Sequence, residues 1–216
     1  MPALDGAGFA HLPGAIDAHV LAGLAEIATG IPSDAGGRRW AGVELARLLA
    51  NPILDSLRRT LLPEACVLRI VAFKKDAAAN WFVPAHQDRS VPIPSAVPPP
   101  GFTRPTRKGN GWQAEAPIAL LKSMRNVRIF IDPATQDDGP LEVAPGTHRL
   151  GRIEQSAIPA VAGEAEWHPL TGNAGDLVIL SPLLLHRSSR ARAPRGRRVL
   201  QLECVAGDVA GRFGLI

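Results

Sequence analysis

From Cys66 onward the chain runs in short β-rich segments, among them CVLRIV, VRIFID and RRVLQLE, separated by Gly, Pro, Asn and Asp. That punctuation is the signature of an all-β sandwich or barrel, in which short strands alternate with turns. Before it the pattern is different. Residues 15–29 are rich in Ala and Leu and read as a helix, and residues 42–62, containing VELARLLANPILDSLRRTLL, read as one or two more, closed by Pro63. The 216 residues suffice for one well-buried core, and all-β architectures of this size commonly stay one domain. We therefore expect a single domain over 1–216, helical over about 1–64 and β over about 65–206. Residues 90–116, with PIPSAVPPPGF, carry too many prolines for regular structure and read as a long loop, placed to act as a lid.

Within the β region, His86 and Asp88 of VPAHQDRS and His186 of LSPLLLHRSS have the residue types and the order of a 2-His-1-carboxylate facial triad, the ligand set of non-haem Fe(II) oxygenases. In a strand the spacing H-x-D points both side chains the same way, so one short element supplies two ligands. The third comes from one hundred residues later, as a strand from elsewhere in a folded barrel would supply it. Three protein ligands leave three positions of an octahedral metal for a cosubstrate and dioxygen. On its own, H-x-D is a common tripeptide.

The surroundings of His186 add weight. GDLVILSPLLLHRSSRARAPRGRRVLQLE reads as a turn at Gly175-Asp176, a strand, a turn at Ser181-Pro182, a second apolar strand ending at His186, an Arg-rich loop and a third strand. Arg197, eleven residues past His186, heads that third strand, where a guanidinium forms a bidentate fork with a small dicarboxylate better than an ammonium does. Neighbours on a strand face opposite sides, so only one of Arg197 and Arg198 points inward.

Taken together, H-x-D, then VRIFIDPATQDDGPLEVAPGTHRLG, then GDLVILSPLLLH, then RRVLQLE resemble the phytanoyl-CoA dioxygenase family of Fe(II)/2-oxoglutarate oxygenases, especially its short bacterial members, over about Val67 to Glu203. The most characteristic piece is DDGPLEVAPGTHR. The resemblance implies a jelly roll, a double-stranded β-helix with the N-terminal helices packed on it. It implies His86, Asp88 and His186 as iron ligands, and Arg197 with Ser188 as the anchor for the distal carboxylate of 2-oxoglutarate. It selects Arg197 over Arg198 as the inward residue. Lys74, ending the strand RIVAFKK, and Arg128, in VRIFID, either reach the cosubstrate from neighbouring strands or are exposed. Family members often carry an aromatic residue just before the first His, whereas this chain has Ala85.

The activity implied is oxidative: with Fe(II), 2-oxoglutarate and O2, the chain would hydroxylate a small molecule and release succinate and CO2. Asp88 argues against halogenation, because related halogenases have a small residue there. Desaturation and cyclisation share the same triad. Two other readings stand beside this one: a nucleic-acid or other oxidative demethylase of the same superfamily, and a non-catalytic barrel that binds a metal or small ligand.

The net charge of +4 is concentrated, with Arg187, Arg190, Arg192, Arg195, Arg197 and Arg198 in one stretch. Such a cluster either grips an anionic partner or forms a solvated loop with one Arg turned inward; the second is the reading taken, so no nucleic acid is expected. No run approaches the roughly 18 apolar residues of a membrane span, and the N-terminus lacks a basic start followed by an apolar stretch, so the expected location is cytoplasmic. Cys66 and Cys204 read as buried small hydrophobes, and His148 as a residue ordering its own turn. Glu142 and Asp176 read as hydrogen-bonding turn or strand residues. Trp81 and Trp112 read as packing beneath the proposed lid, with a pocket wall as the other possibility.

Overall fold

Thirteen strands in three antiparallel sheets dominate the computed structural model, which describes residues 2–29, 37–109 and 111–215. In chain order they are β1 (Phe9–Leu12), β2 (Gly37–Trp40), β3 (Ala65–Asp76), β4 (Val83–His86), β5 (Ser90–Ile93), β6 (Thr103–Lys108), β7 (Gly111–Glu115), β8 (Arg125–Phe130), β9 (Leu141–Val143), β10 (His168–Pro169), β11 (Leu177–Leu180), β12 (His186–Ser188) and β13 (Arg195–Ala206). The large sheet has the order β1-β11-β8-β13-β3-β2, and a smaller one the order β10-β9-β12-β4. The two sandwich a cavity, and their long crossovers are those of a jelly roll, so the fold is mainly β.

Alternation along β3 explains how the large sheet serves two purposes. Arg69, Val71, Phe73 and Lys75 face the cavity, while Ile70 and Ala72 face outward. The outward side meets Leu24 of helix Ala18–Thr29, Leu45 of helix Gly42–Leu49, and Leu54 and Leu57 of helix Pro52–Leu61. Asn51 caps the last of these helices by accepting from the Ile53 amide, and Pro52 stands in its first turn, where a missing N–H costs nothing. A register shift between Glu203 and Cys204 skips Leu68 and changes the phase, as a bulge does, so that Val67 packs in the same apolar cluster as Ile70, three residues away, while Leu68 enters another.

The expected boundary between a helical start and a β remainder is only approximate. β1 and β2 lie in the N-terminal part and form both edges of the large sheet, β1 on β11 and β2 on β3. FAHL and GRRW are too short and too polar to announce themselves. Short helices also occur late, at Ile118–Ser123, Ile158–Glu164 and Gly207–Arg212.

The reading of 90–116 as a loop is corrected: β5, β6 and β7 form a three-stranded sheet of their own, in the order β5-β7-β6. Its prolines are compatible because Pro92 and Pro105 sit on the two edge strands, and the register slips between Thr103 and Thr106, around Pro105. Val91, Ile93, Phe102 and Ala114 of this segment are buried against Leu120, Leu121 and Val209. None of its described residues lines the cavity between the large sheets; Trp112 packs into the same apolar cluster, whereas Trp81 does line the cavity.

Candidate metal centre

The cavity is about 560 Å³, within the range of small-ligand sites, and is walled by β2, β3, β8 and β13 on one side and by β4, β9 and β12 on the other. His86 ends β4 and His186 begins β12; the two residues are direct partners in the antiparallel ladder, and their rings lie 4.2 Å apart. The apolar run LLL before His186 is a buried turn rather than the expected strand, so His186 opens its strand instead of ending one. Asp88 follows β4, its amide donating to the Pro182 carbonyl at 2.9 Å.

One ligand atom from each of His86, Asp88 and His186 can be chosen so that all lie within 4.8 Å of one another. His86 Nε2 is 3.9 Å from Asp88 Oδ1, and His186 Nε2 is 3.8 Å from Asp88 Oδ2. In both histidines Nδ1 lies 2.9 Å from a backbone carbonyl two residues earlier, Pro84 for His86 and Leu184 for His186. A carbonyl can only accept, so Nδ1 carries the proton and Nε2 presents its lone pair to the shared space. Burial, with His86 and Arg128 nearby, pushes His186 down to about 4 although Asp88 opposes the shift, which keeps the ring neutral. Burial raises the Asp88 carboxyl, but nearby positive charge, that of Arg69 and Arg128 included, more than offsets this and keeps it ionised. Asn126 Nδ2 donates to Asp88 Oδ2 at 2.7 Å and orients the carboxylate.

Gln87, between His86 and Asp88, faces away from them. Its amide nitrogen donates to the carbonyls of Gly151 and Leu183, and its oxygen accepts from the Ile153 amide. The PGTH block contributes Thr147, whose hydroxyl donates to the Ala144 carbonyl and accepts from the amide of Leu185, one residue before His186. His148 lies outside the cavity, with Nε2 near the Asp5 carbonyl.

At the far end of the cavity, Arg197 and Ser188 stand together with a residue that sequence reasoning missed. Lys75, only 1% exposed, donates to Ser188 Oγ at 2.7 Å, to the Gly139 carbonyl at 3.0 Å and to the Ser189 carbonyl. Arg197 donates to the same Gly139 carbonyl at 3.2 Å, and its Nε is buried with no partner. The assignment of Lys74 to this site is corrected. It pairs with Asp76 at 3.1 Å and borders a separate surface depression, because neighbours on β3 face opposite sides. In FKK either lysine could be inward from sequence alone; the register of Arg197 opposite Lys75 decides it.

Arg128 does line the cavity: 8% exposed, it donates to Gln201 Oε1, lies over the Phe73 ring and has no carboxylate partner among the described residues. Burial and the nearby Arg197 lower it to about 9, with Asp88 opposing. Arg198 instead turns outward and grips Asp132 with two 2.8 Å bonds. Other members of the basic stretch are similarly matched: Arg187 with Glu142, Arg192 with Asp137 and Arg195 with Asp138. Asp176 ties His11 and the Gly14 amide, and Cys66 and Cys204 are free thiols that burial pushes up, Cys204 to about 12.

The profile of the phytanoyl-CoA dioxygenase family matches residues 4–199. The chain belongs to the phytanoyl-CoA dioxygenase family. Among curated proteins, L-proline trans-4-hydroxylase of Streptomyces griseoviridis is 30% identical over a stretch that takes in 35% of this chain and 38% of that enzyme. The aligned part thus spans well under half of that relative. Among solved structures, apo EctD from S. alaskensis superposes with a TM-score of 0.63 at 19% identity, covering 95% of this chain and 75% of that one. HygX from Streptomyces hygroscopicus, with nickel, 2-oxoglutarate and hygromycin B bound, gives 0.56 at 15% identity, covering 94% and 85%. At these identities the structural likeness speaks for a shared fold.

Proposed function

We propose that this member of the phytanoyl-CoA dioxygenase family is an Fe(II)- and 2-oxoglutarate-dependent oxygenase that hydroxylates a small molecule. The observation that carries the reading is the convergence of two Nε2 atoms and one carboxylate in a cavity whose other end holds a buried Arg-Lys-Ser cluster. Two imidazoles and one carboxylate suit Fe(II), and the Nδ1 contacts leave the Nε2 atoms free to ligate. When bound, the iron with 2-oxoglutarate and O2 supplies an oxidation that leaves a hydroxyl on the substrate, succinate and CO2.

The protein's part is binding and orientation. Arg197, Lys75 and Ser188 would receive the distal carboxylate of the cosubstrate, and Arg128, lying near both Asp88 and Arg197, would offset its remaining negative charge. Asn126 keeps Asp88 aimed. The named activities of the relatives, on L-proline for one and with hygromycin B bound in another, support a small-molecule substrate. The outward ion pairing of the basic stretch speaks against a phosphate-gripping surface. Among the described residues no helix is long and apolar enough to cross a membrane; a cytoplasmic location is part of the proposal.

The test is an anaerobic optical titration of the apo-protein with Fe(II) and 2-oxoglutarate. A visible charge-transfer band that forms in the wild type, vanishes in Asp88→Ala and weakens in Arg197→Ala supports the assignment. Iron binding with no band on adding 2-oxoglutarate leaves a metal-binding barrel.

A further inference from the structure

The charges that line the cavity do not cancel. Arg39, Arg69, Lys75, Arg128 and Arg197 face two carboxylates among the described residues, Asp88 and Glu203. On the oxygenase reading a divalent iron and a dianionic cosubstrate add equal and opposite charge, so the positive excess persists once both are bound.

The cations fall toward two ends of the cavity. Along β3, Lys75 and Arg69 are six residues apart, roughly 20 Å at the usual strand rise. Lys75 and Arg197 occupy one end; at the other, Arg69 faces Glu203 across the ladder and donates to it at 2.7 Å, and Glu203 in turn is the ladder partner of Asn126, which holds Asp88. Arg69 Nε is buried without a partner, and its NH1 and NH2 reach Gln113 and the Ser90 carbonyl. Arg39, paired through the backbone with Val71, stands exposed on the rim at this end and has no hydrogen-bond or ion-pair partner among the described residues. A carboxylate placed there would answer the unpaired Arg39, with Arg69, itself paired to Glu203, adding a second positive charge beside it, without competing for the Lys75–Arg197 end.

We propose that Arg39 and Arg69 form an anion-binding pole for the substrate, which is therefore a small organic acid held by its carboxylate beside the Asp88 end of the cavity. This deepens the oxygenase reading and rests on it. The cavity of about 560 Å³ must also hold the cosubstrate, which limits the acid to a compact molecule.

The experiment compares small amino, aliphatic and aromatic carboxylic acids with their own primary amides, beginning with L-proline and L-prolinamide. Each is titrated anaerobically into the protein loaded with Fe(II) and 2-oxoglutarate, with the charge-transfer band and the melting temperature as readouts. At least one acid is expected to shift the band and raise the melting temperature where its amide does neither. Arg39→Gln should raise the half-saturating concentration of that acid about tenfold, the scale of one lost charge-assisted contact, without changing that of 2-oxoglutarate, and Arg39→Lys should recover part of the loss. Amides matching their acids throughout the panel, or Arg39→Gln binding the acid as the wild type does, overturns the proposal. If the band never forms, the oxygenase reading is what fails. The acid and amide comparison by melting temperature on the metal-free protein then still decides whether the pole binds carboxylates.

Discussion

Lys75 and Arg197 face each other across the β3–β13 ladder and donate to a single acceptor, the carbonyl oxygen of Gly139. Two cations gathered on one neutral oxygen in a buried place mark the spot where a ligand's negative charge is wanted, since such groups are costly to bury without a counter-charge. Gly139 closes the QDD turn in a left-handed conformation, φ 58°, and thereby aims its carbonyl at them.

Substituting that glycine should disturb both fold and ligand. A Cβ at position 139 would meet the Ser189 carbonyl oxygen at 2.5 Å and the Ala191 amide nitrogen at 2.7 Å, both backbone atoms that cannot swing aside. With the positive φ, Gly139→Ala is expected to cost about 1–3 kcal/mol. Urea unfolding should show the loss, and the half-saturating 2-oxoglutarate concentration in the optical titration should rise with it.

The titration of Lys75 has a definite sign. Burial, followed by Arg197 and Arg128, lowers it from 10.5 to about 8, with Glu142 opposing. Between those two values the unfolded chain retains a proton that the folded chain has released, so the unfolded state binds more protons and stability rises with pH across that window. Below about 8 both states are protonated and the contribution is flat. The urea midpoint of the apo-protein should therefore climb between about pH 8 and 10.5 relative to Lys75→Met. Affinity for 2-oxoglutarate should fall in the same direction, because the dianion needs the ammonium.

Asn126 would act on a bound metal through Asp88. Asn126→Ala removes the 2.7 Å bond that orients the carboxylate while leaving His86, Asp88 and His186 in place. Loss of such a supporting contact commonly weakens metal affinity by about 10–100-fold. Competition with a chromophoric chelator should report a drop in that range with near-wild-type far-UV circular dichroism.

Glu203 is buried and bound to Arg69, and burial raises its carboxyl above the ordinary range while Arg69 pulls it down. Glu203→Ala strands the Arg69 guanidinium in the cavity wall, and breaking a buried pair from one side typically costs about 3–5 kcal/mol. Thermal unfolding should fall steeply. A variant with unchanged melting temperature would mean that Arg69 finds solvent.

Much was legible from residue types read together with the family resemblance. H-x-D, the distal His and the Arg eleven residues on pointed to one chemistry because metal ligation needs particular atoms, and those atoms belong to few side chains. The β character after Cys66 was equally plain, since turns leave Gly, Pro, Asn and Asp in the chain. Local patterns misled where pairing decides. PIPSAVPPPGF read as a loop, yet edge strands admit prolines; FAHL and GRRW had no signal of their own, yet the open edges of the large sheet recruited them.

The sequence, read with its family resemblance, determined the class of fold and nominated His86, Asp88 and His186 as metal ligands with Arg197 as the carboxylate anchor, residues that the fold brings to one cavity. Only the tertiary structure decided that Lys75 rather than Lys74 joins them, that Arg198 belongs to Asp132, and that Arg39 reaches the same cavity as Asp88. The reason is that alternation tells which residues share a face but never which face is inside. That choice is made by the ladder, by the helices covering the outer side and by residues distant in sequence, and none of these is a local property of the chain.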